Sequence, residues 1–235
     1  MLASAALRSL LVPALLLGAG LAPADAQDST PQAEHKRGDH AADPDRAVQG
    51  GGAVPAGWAV RPDDPAGSAN VKVVPMGKGI HVTLGPAIIL YKKEHGGTGA
   101  FHTLATFTQS KKATHAEGYG LFYGGKALDG AGQKYTYFLV RQDGTYLVKR
   151  RDGDKTTAVT KGWVASSAVK KVDGTGGAAN LLEIDAKRDA SKVVFMVNGQ
   201  AVHTMAATAA DVNGVVGIRA NHNLDLHIDG FNVHR

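Results

Sequence analysis

From Trp58 to the C-terminus, apolar residues return at every second position in short runs separated by turn-forming dipeptides, and no run carries the 3.6-residue spacing of a helix. Such a chain buries one face of each strand and wets the other, a pattern satisfied by antiparallel sheets packed face to face. The stretch KVVFMVNGQAVHTM, Lys192 to Met205, shows it best: Val193, Phe195 and Val197 point one way, Val194 and Met196 the other, and Asn198-Gly199 interrupts the run. Asp143-Gly144 does the same within YTYFLVRQDGTYLVKRR. Both dipeptides tolerate the positive φ angles of two-residue primed turns, so both are expected at hairpin tips. In LLEIDAK, Leu182, Ile184 and Ala186 alternate with Glu183, Asp185 and Lys187, a strand with one wet face. Strands are expected over 70–74, 79–84, 87–92, 101–109, 118–123, 135–141, 145–151, 181–187, 192–197, 201–205, 215–220 and 224–234, with one helical turn within 206–212.

The first residues read differently. Arg8, an apolar run from Leu10 to Ala22 and the small residues Ala24 and Ala26 have the form of a signal peptide over residues 1–26, which implies an exported protein, periplasmic or extracellular. No later segment approaches the ~20 apolar residues of a membrane helix, so no membrane span is expected. Residues 27–55 are polar and rich in Gly and Pro and are expected to form a disordered linker whose removal leaves stability unchanged. Within it His35, Asp39, His40, Asp43 and Asp45 would hold a metal only loosely. Residues 56–235 are then one domain. With no Cys, no disulfide framework supports it, and stability rests on a buried core. The net charge of +5 comes from dispersed pairs such as Lys92-Lys93, Lys111-Lys112 and Lys170-Lys171. That dispersal suits solubility and a weak pull on acidic polymers, and does not suit nucleic acid.

The ordered segments GYGLFYGG, YTYFLVRQDGTYLVKRR, NLLEIDAK, VVFMVNGQAV, GVVGIRA and LHIDGFNV together resemble the concanavalin A-like lectin/glucanase superfamily, nearest its exported bacterial branch around laminin-G-like and 3-keto-disaccharide hydrolase (DUF1080-type) domains. The resemblance covers Trp58 to Arg235 and implies an all-β, two-sheet antiparallel sandwich of the jelly-roll type. It does not fix an activity, because that superfamily holds hydrolases, lectins and modules without chemistry.

Four groups of residues are candidates for function. Glu183 and Asp185 share a strand face, but the glycosidases of this fold place a second glutamate where Lys187 or Arg188 stands, and a retaining pair requires carboxylates about 5–5.5 Å apart. His115 and Glu117, two residues apart before a Gly-rich strand, would serve as acid and base if both reached one cleft. Asp225, His227 and Asp229 share one face of the last strand, with His222 just upstream; the oxygens would suit calcium and the imidazoles zinc, and no other cofactor is implied. Tyr119, Tyr123, Tyr135, Tyr137, Arg141 and Trp163 lie in or beside the middle strands, where lectin-like sandwiches lay sugars across aromatic rings. Tyr119 shares parity with Tyr123, and Tyr135 with Tyr137 and Arg141, so each set projects from one side. The reading that follows is a non-catalytic glycan-binding or surface-interaction module. A sugar-active hydrolase, of the 3-keto-disaccharide or glycoside type, and a structural cell-envelope protein are the alternatives.

Overall fold

The structure is a computed structural model that describes residues 43–174 and 177–235. The expected signal peptide and the leader residues His35, Asp39 and His40 lie outside the described residues. Among these, fifteen strands follow in chain order: β1 (Trp58–Pro62), β2 (Val71–Met76), β3 (Gly79–Leu84), β4 (Ile88–Lys92), β5 (His102–Gln109), β6 (Gly118–Lys126), β7 (Lys134–Arg141), β8 (Thr145–Asp152), β9 (Lys155–Ala158), β10 (Val164–Ala165), β11 (Ala178–Asp185), β12 (Lys192–Val197), β13 (Gln200–Ala206), β14 (Val215–Ala220) and β15 (Asp225–His234). The helical content among the described residues is three short 3-10 helices, one of them Ala207–Ala209 within the expected helical segment. No helix among the described residues is long and apolar enough to cross a membrane.

The strands form two antiparallel sheets. One has the order β1-β4-β14-β6-β7-β8-β10, with β9 also on β8; the other has the order β13-β12-β11-β5-β15-β3-β2. This is the expected sandwich. Between the sheets lies a core in which Phe107, Leu121, Phe138, Leu182, Ile184, Phe195 and Ile218 are fully buried. The alternation read from the sequence supplies it directly: Val193, Phe195 and Val197 point into the core while Val194 is half-buried on the other face.

Turn chemistry sets the register. Asn198 (φ 50°) and Gly199 (φ 79°) form a two-residue turn between Val197 and its partner Gln200, with both φ angles positive as a type I′ turn requires. Asp143-Gly144 also stands at an antiparallel hairpin tip, as expected, but in a loop one residue longer than a primed two-residue turn. Arg141 pairs with Thr145, which leaves the three residues from Gln142 to Gly144 in the loop, and only Gly144 (φ 88°) among them takes a positive φ. The physical reason is that a lone left-handed glycine completes a three-residue hairpin loop, so Asp143 keeps its ordinary conformation.

Three strands are absent from the sequence expectation: β10, only two residues long, β9 and β1. β9 follows the two-residue turn Gly153-Asp154 (Gly153 φ 60°) but carries only Lys, Thr and Ala and no apolar alternation. β1 ends in Pro62, which an edge strand tolerates.

The described part of the expected linker 27–55 makes contacts with the sandwich. Arg46 donates from Nε to the Leu84 carbonyl (2.9 Å) and from Nη2 to the Leu224 carbonyl (2.6 Å), and its backbone N–H donates to Asn223 Oδ1 (2.7 Å). Gly51 then bridges Lys72 in parallel on the edge strand β2. The open edge of β2 presents unpaired backbone groups, and this segment takes them up.

Candidate functional site

A single ion pair reveals the shape of the β1-containing sheet. Asp63, the residue after β1, meets Arg151 of β8 at 2.8 Å, although β4, β14, β6 and β7 lie between those strands. At ~4.8 Å per strand a flat sheet would hold them about 24 Å apart, beyond the combined reach of the two side chains. The sheet is therefore strongly curled, and the face turned away from the core is concave.

Register fixes what lines that face. Ile218 points into the core, so Arg219 points out; it stands opposite Ile89 of β4 and Gly120 of β6, and Arg61 of β1 is also opposite Ile89. The neighbouring row contains Tyr91, Gly217, Phe122, Tyr137 and Lys149. Tyr91, Phe122, Leu128, Tyr135, Tyr137 and Leu139 pack into a second apolar cluster on this face. The loop between β6 and β7 folds over one end: Leu128 packs onto the rings, the Tyr91 hydroxyl donates to Asp129, and Arg61 Nη2 donates to the Gly130 carbonyl (3.2 Å).

Asp63 occupies the middle. Arg219 grips it with two bonds, Nη1 to Oδ1 at 2.6 Å and Nη2 to Oδ2 at 2.7 Å, while Arg151 reaches Oδ2 from the opposite side. Burial alone would push the Asp63 carboxyl up; the two guanidiniums more than reverse this and hold it well below the usual carboxylate range. Burial pushes the Tyr137 phenol far above its ordinary value. Four buried polar atoms on or beside the face make no hydrogen bond within the protein: Arg61 Nη1, Gln133 Oε1, Tyr135 Oη and Arg219 Nε. Buried groups of this kind cost about 1–3 kcal/mol each when unpaired.

At the far end of the face the guanidinium of Arg141 lies over the Trp163 ring, 4.4 Å from its centroid, and both side chains are half-buried. Trp163 can lie flat there because Gly118 has no side chain: a Cβ on Gly118 would fall 2.7 Å from Trp163 Cη2.

The structure thus brings Tyr135, Tyr137, Arg141 and Trp163 to one face and removes the other two tyrosines from it. Tyr119 and Tyr123 are fully buried between the sheets, against Phe107 and against Phe101 and Phe195. Burial pushes each of their phenols up to about 12. Parity within β6 is the reason: Gly118 and Phe122 turn outward, so Tyr119 and Tyr123 turn inward. They are core residues.

The expected acid–base pair also separates. His115 is exposed in the loop before β6, while Glu117 is buried and faces His222 across 3.1 Å. Hydrogen bonding to Glu117, opposed by burial, raises the pKa of His222. Glu183 turns to His102 (3.2 Å), and Asp185 accepts the backbone N–H groups of Lys187 and Arg188, both at 2.9 Å, in the turn that ends β11. Each of these two carboxylates thus has its own partner within the protein. Asp225, His227 and Asp229 share the outer face of the other sheet as expected, but Asp225 turns to His81 (3.0 Å) and His227 to Asp229 (2.8 Å). Among the described residues the three-donor group close enough to share an ion is Asp43, Glu117 and His222.

Sequence reading missed Asp63, Arg61, Gln133 and Arg219. Arg219 was detectable, as a charge inside the otherwise apolar strand GVVGIRA. Asp63 gave no signal, because RPDDP reads as a turn.

No family model matches the chain, and no curated protein is similar to it in sequence. Solved structures are similar to it in fold. The carbohydrate-binding module CBM66 from Bacillus subtilis superposes with a TM-score of 0.55 at 9% identity, over 76% of this chain and 96% of the module. A Bacillus subtilis protein of unknown function with a galectin-like fold gives 0.52 at 11% identity, over 75% and 88%. A Bacteroides ovatus GH16 enzyme from a mixed-linkage glucan locus gives 0.51 at 9% identity, over 77% and 96%. The fold that these structures share with the chain is the two-sheet antiparallel jelly-roll sandwich.

Proposed function

We propose that the protein is an exported, non-catalytic carbohydrate-binding module whose glycan lies on the concave face, against Trp163 and Arg141 and over Tyr137, with the net charge of +5 favouring acidic sugars. The observation that carries this reading is the half-buried Arg141–Trp163 pair at the end of the curled face, with the guanidinium 4.4 Å from the ring centroid. A sugar presents its C–H face to such a ring and its hydroxyls to such a guanidinium. Two of the similar structures support it by what they are: one is a carbohydrate-binding module, and the GH16 enzyme was solved with an oligosaccharide product. Catalysis is disfavoured by the state of Asp63. A carboxylate gripped by two arginines is held ionised and is unsuited to donate the proton that glycoside cleavage requires. Export rests on the form of residues 1–26, and the mature chain is expected to start at Gln27.

The test is retention on insoluble polysaccharides and a glycan array. Binding of uronate-containing polymers that weakens with salt and is lost in Trp163→Ala supports the reading. Retention on no surface, or turnover of a glycoside or keto-sugar, sinks it. Mass analysis of the protein recovered outside the cytoplasm tests export separately.

A further inference from the structure

Three separate parts of the chain converge beside the start of β6. Glu117 precedes that strand and is buried, His222 sits in the turn between β14 and β15, and Asp43 and Asp45 belong to the segment ahead of the sandwich. His222 Nε2 lies 3.1 Å from Glu117 Oε1 and 3.6 Å from Asp43 Oδ2, and one donor atom from each of these three residues lies within 4.8 Å of the other two. The remaining atoms of all three side chains are held from outside. Asp45 Oδ1 is 3.0 Å from His222 Nδ1, Asn221 Nδ2 donates to Glu117 Oε2 (3.2 Å), and Asn223 Nδ2 donates to Asp43 Oδ1 (3.1 Å).

We propose that Asp43, Glu117 and His222 hold a divalent transition-metal ion of the zinc class, which fastens the segment ahead of the sandwich to the turn between β14 and β15. With Nδ1–H given to Asp45, Nε2 is the nitrogen turned toward the two carboxylates, and a metal ion would take the place of the proton it otherwise shares with Glu117. Donor separations of 3.1 and 3.6 Å suit a small polyhedron with bonds of about 2.0–2.2 Å. A carboxylate on the far nitrogen of the imidazole is the usual support of a metal-bound histidine, and the two asparagine amides do the same for the two carboxylates. One imidazole with two carboxylates matches zinc; calcium takes about six to eight oxygens. The donors are neither the Asp225, His227 and Asp229 of the last strand nor the residues of the concave face, so the inference stands apart from the proposed glycan site.

The experiment is calorimetric titration of the full chain, without an affinity tag and stripped by chelator, with Zn²⁺ alone, followed by Co²⁺ as an absorption probe. One equivalent is expected to bind, with a Co²⁺ spectrum of low coordination number. Asp43→Asn and His222→Gln should each weaken binding at least tenfold, and Asp45→Asn by about 10–100-fold. A tenfold excess of Ca²⁺ should not compete. Asp43 lies outside the sandwich strands, so Asp43→Asn keeps the test meaningful if His222→Gln folds poorly by circular dichroism. Absence of zinc binding, equal affinity in the Asp43→Asn protein, or displacement by calcium would each overturn the proposal.

Discussion

Asp63 and Arg151 form an ion pair at 2.8 Å across the hollow of a sheet in which four strands separate β1 from β8. The pair, shared with Arg219, spans the concave face and keeps its edges drawn together. Arg219 is almost fully buried, so removal of Asp63 strands a guanidinium without its counter-charge. Asp63→Ala is expected to cost about 3–5 kcal/mol in chemical denaturation. A change below 1 kcal/mol would mean that the pair is peripheral.

Asp63 also sets a pH dependence. Its carboxyl is held below the value it has in the unfolded chain, so its contribution is fully present above about pH 5. The contribution is lost progressively as the pH falls through about 4 toward the depressed folded value. Denaturation midpoints should fall on that acid limb in the wild-type protein and fall less steeply in Asp63→Asn. Equal slopes in the two proteins would remove Asp63 from the explanation.

The segment ahead of β1 contributes to stability through Arg46, whose guanidinium bonds two carbonyls at 2.9 and 2.6 Å. Hydrogen bonds made by a charged group are worth about 1.5–3 kcal/mol, so Arg46→Ala should lower stability by roughly that amount. A chain starting at residue 56 should melt measurably lower than the full chain, and identical melting curves would contradict the docking described here.

Much of the fold was legible because alternation and turn chemistry are local. Phe195, Leu182 and Ile184 could be placed in the core from parity, and Asn198-Gly199 from its tolerance of positive φ. The site was legible only in part. Parity grouped Tyr135, Tyr137 and Arg141 correctly and paired Tyr119 with Tyr123, but parity cannot say which side of a strand faces the second sheet. The contacts of Asp63 with Arg219 and of Glu117 with His222 join residues 156 and 105 positions apart, and no local pattern encodes such meetings.

Aromatic residues of the core and of the face should respond differently to truncation. Tyr119→Ala and Phe195→Ala each empty a fully buried position and should cost about 3–5 kcal/mol. Trp163→Ala, at a half-buried position, should cost less and leave the far-ultraviolet spectrum unchanged. Equilibrium unfolding of the three variants checks the order, and a Tyr119→Ala protein as stable as wild type would contradict its place between the sheets.

The central claim, that the concave face binds glycan, is tested most directly by nuclear magnetic resonance of the two tryptophan indole N–H groups during titration with an oligouronate. The chain contains only Trp58 and Trp163. Trp58 lies on β1, packed against Phe231 with ring centroids 5.3 Å apart, away from the stacked Arg141–Trp163 pair, and serves as the internal control. Saturable displacement of the Trp163 signal with Trp58 unmoved is the predicted result, diminishing as salt screens the arginines beyond a ~8–10 Å Debye length. A titration that shifts Trp58 alone, or neither signal while binding is registered calorimetrically, would place the ligand elsewhere and contradict the account.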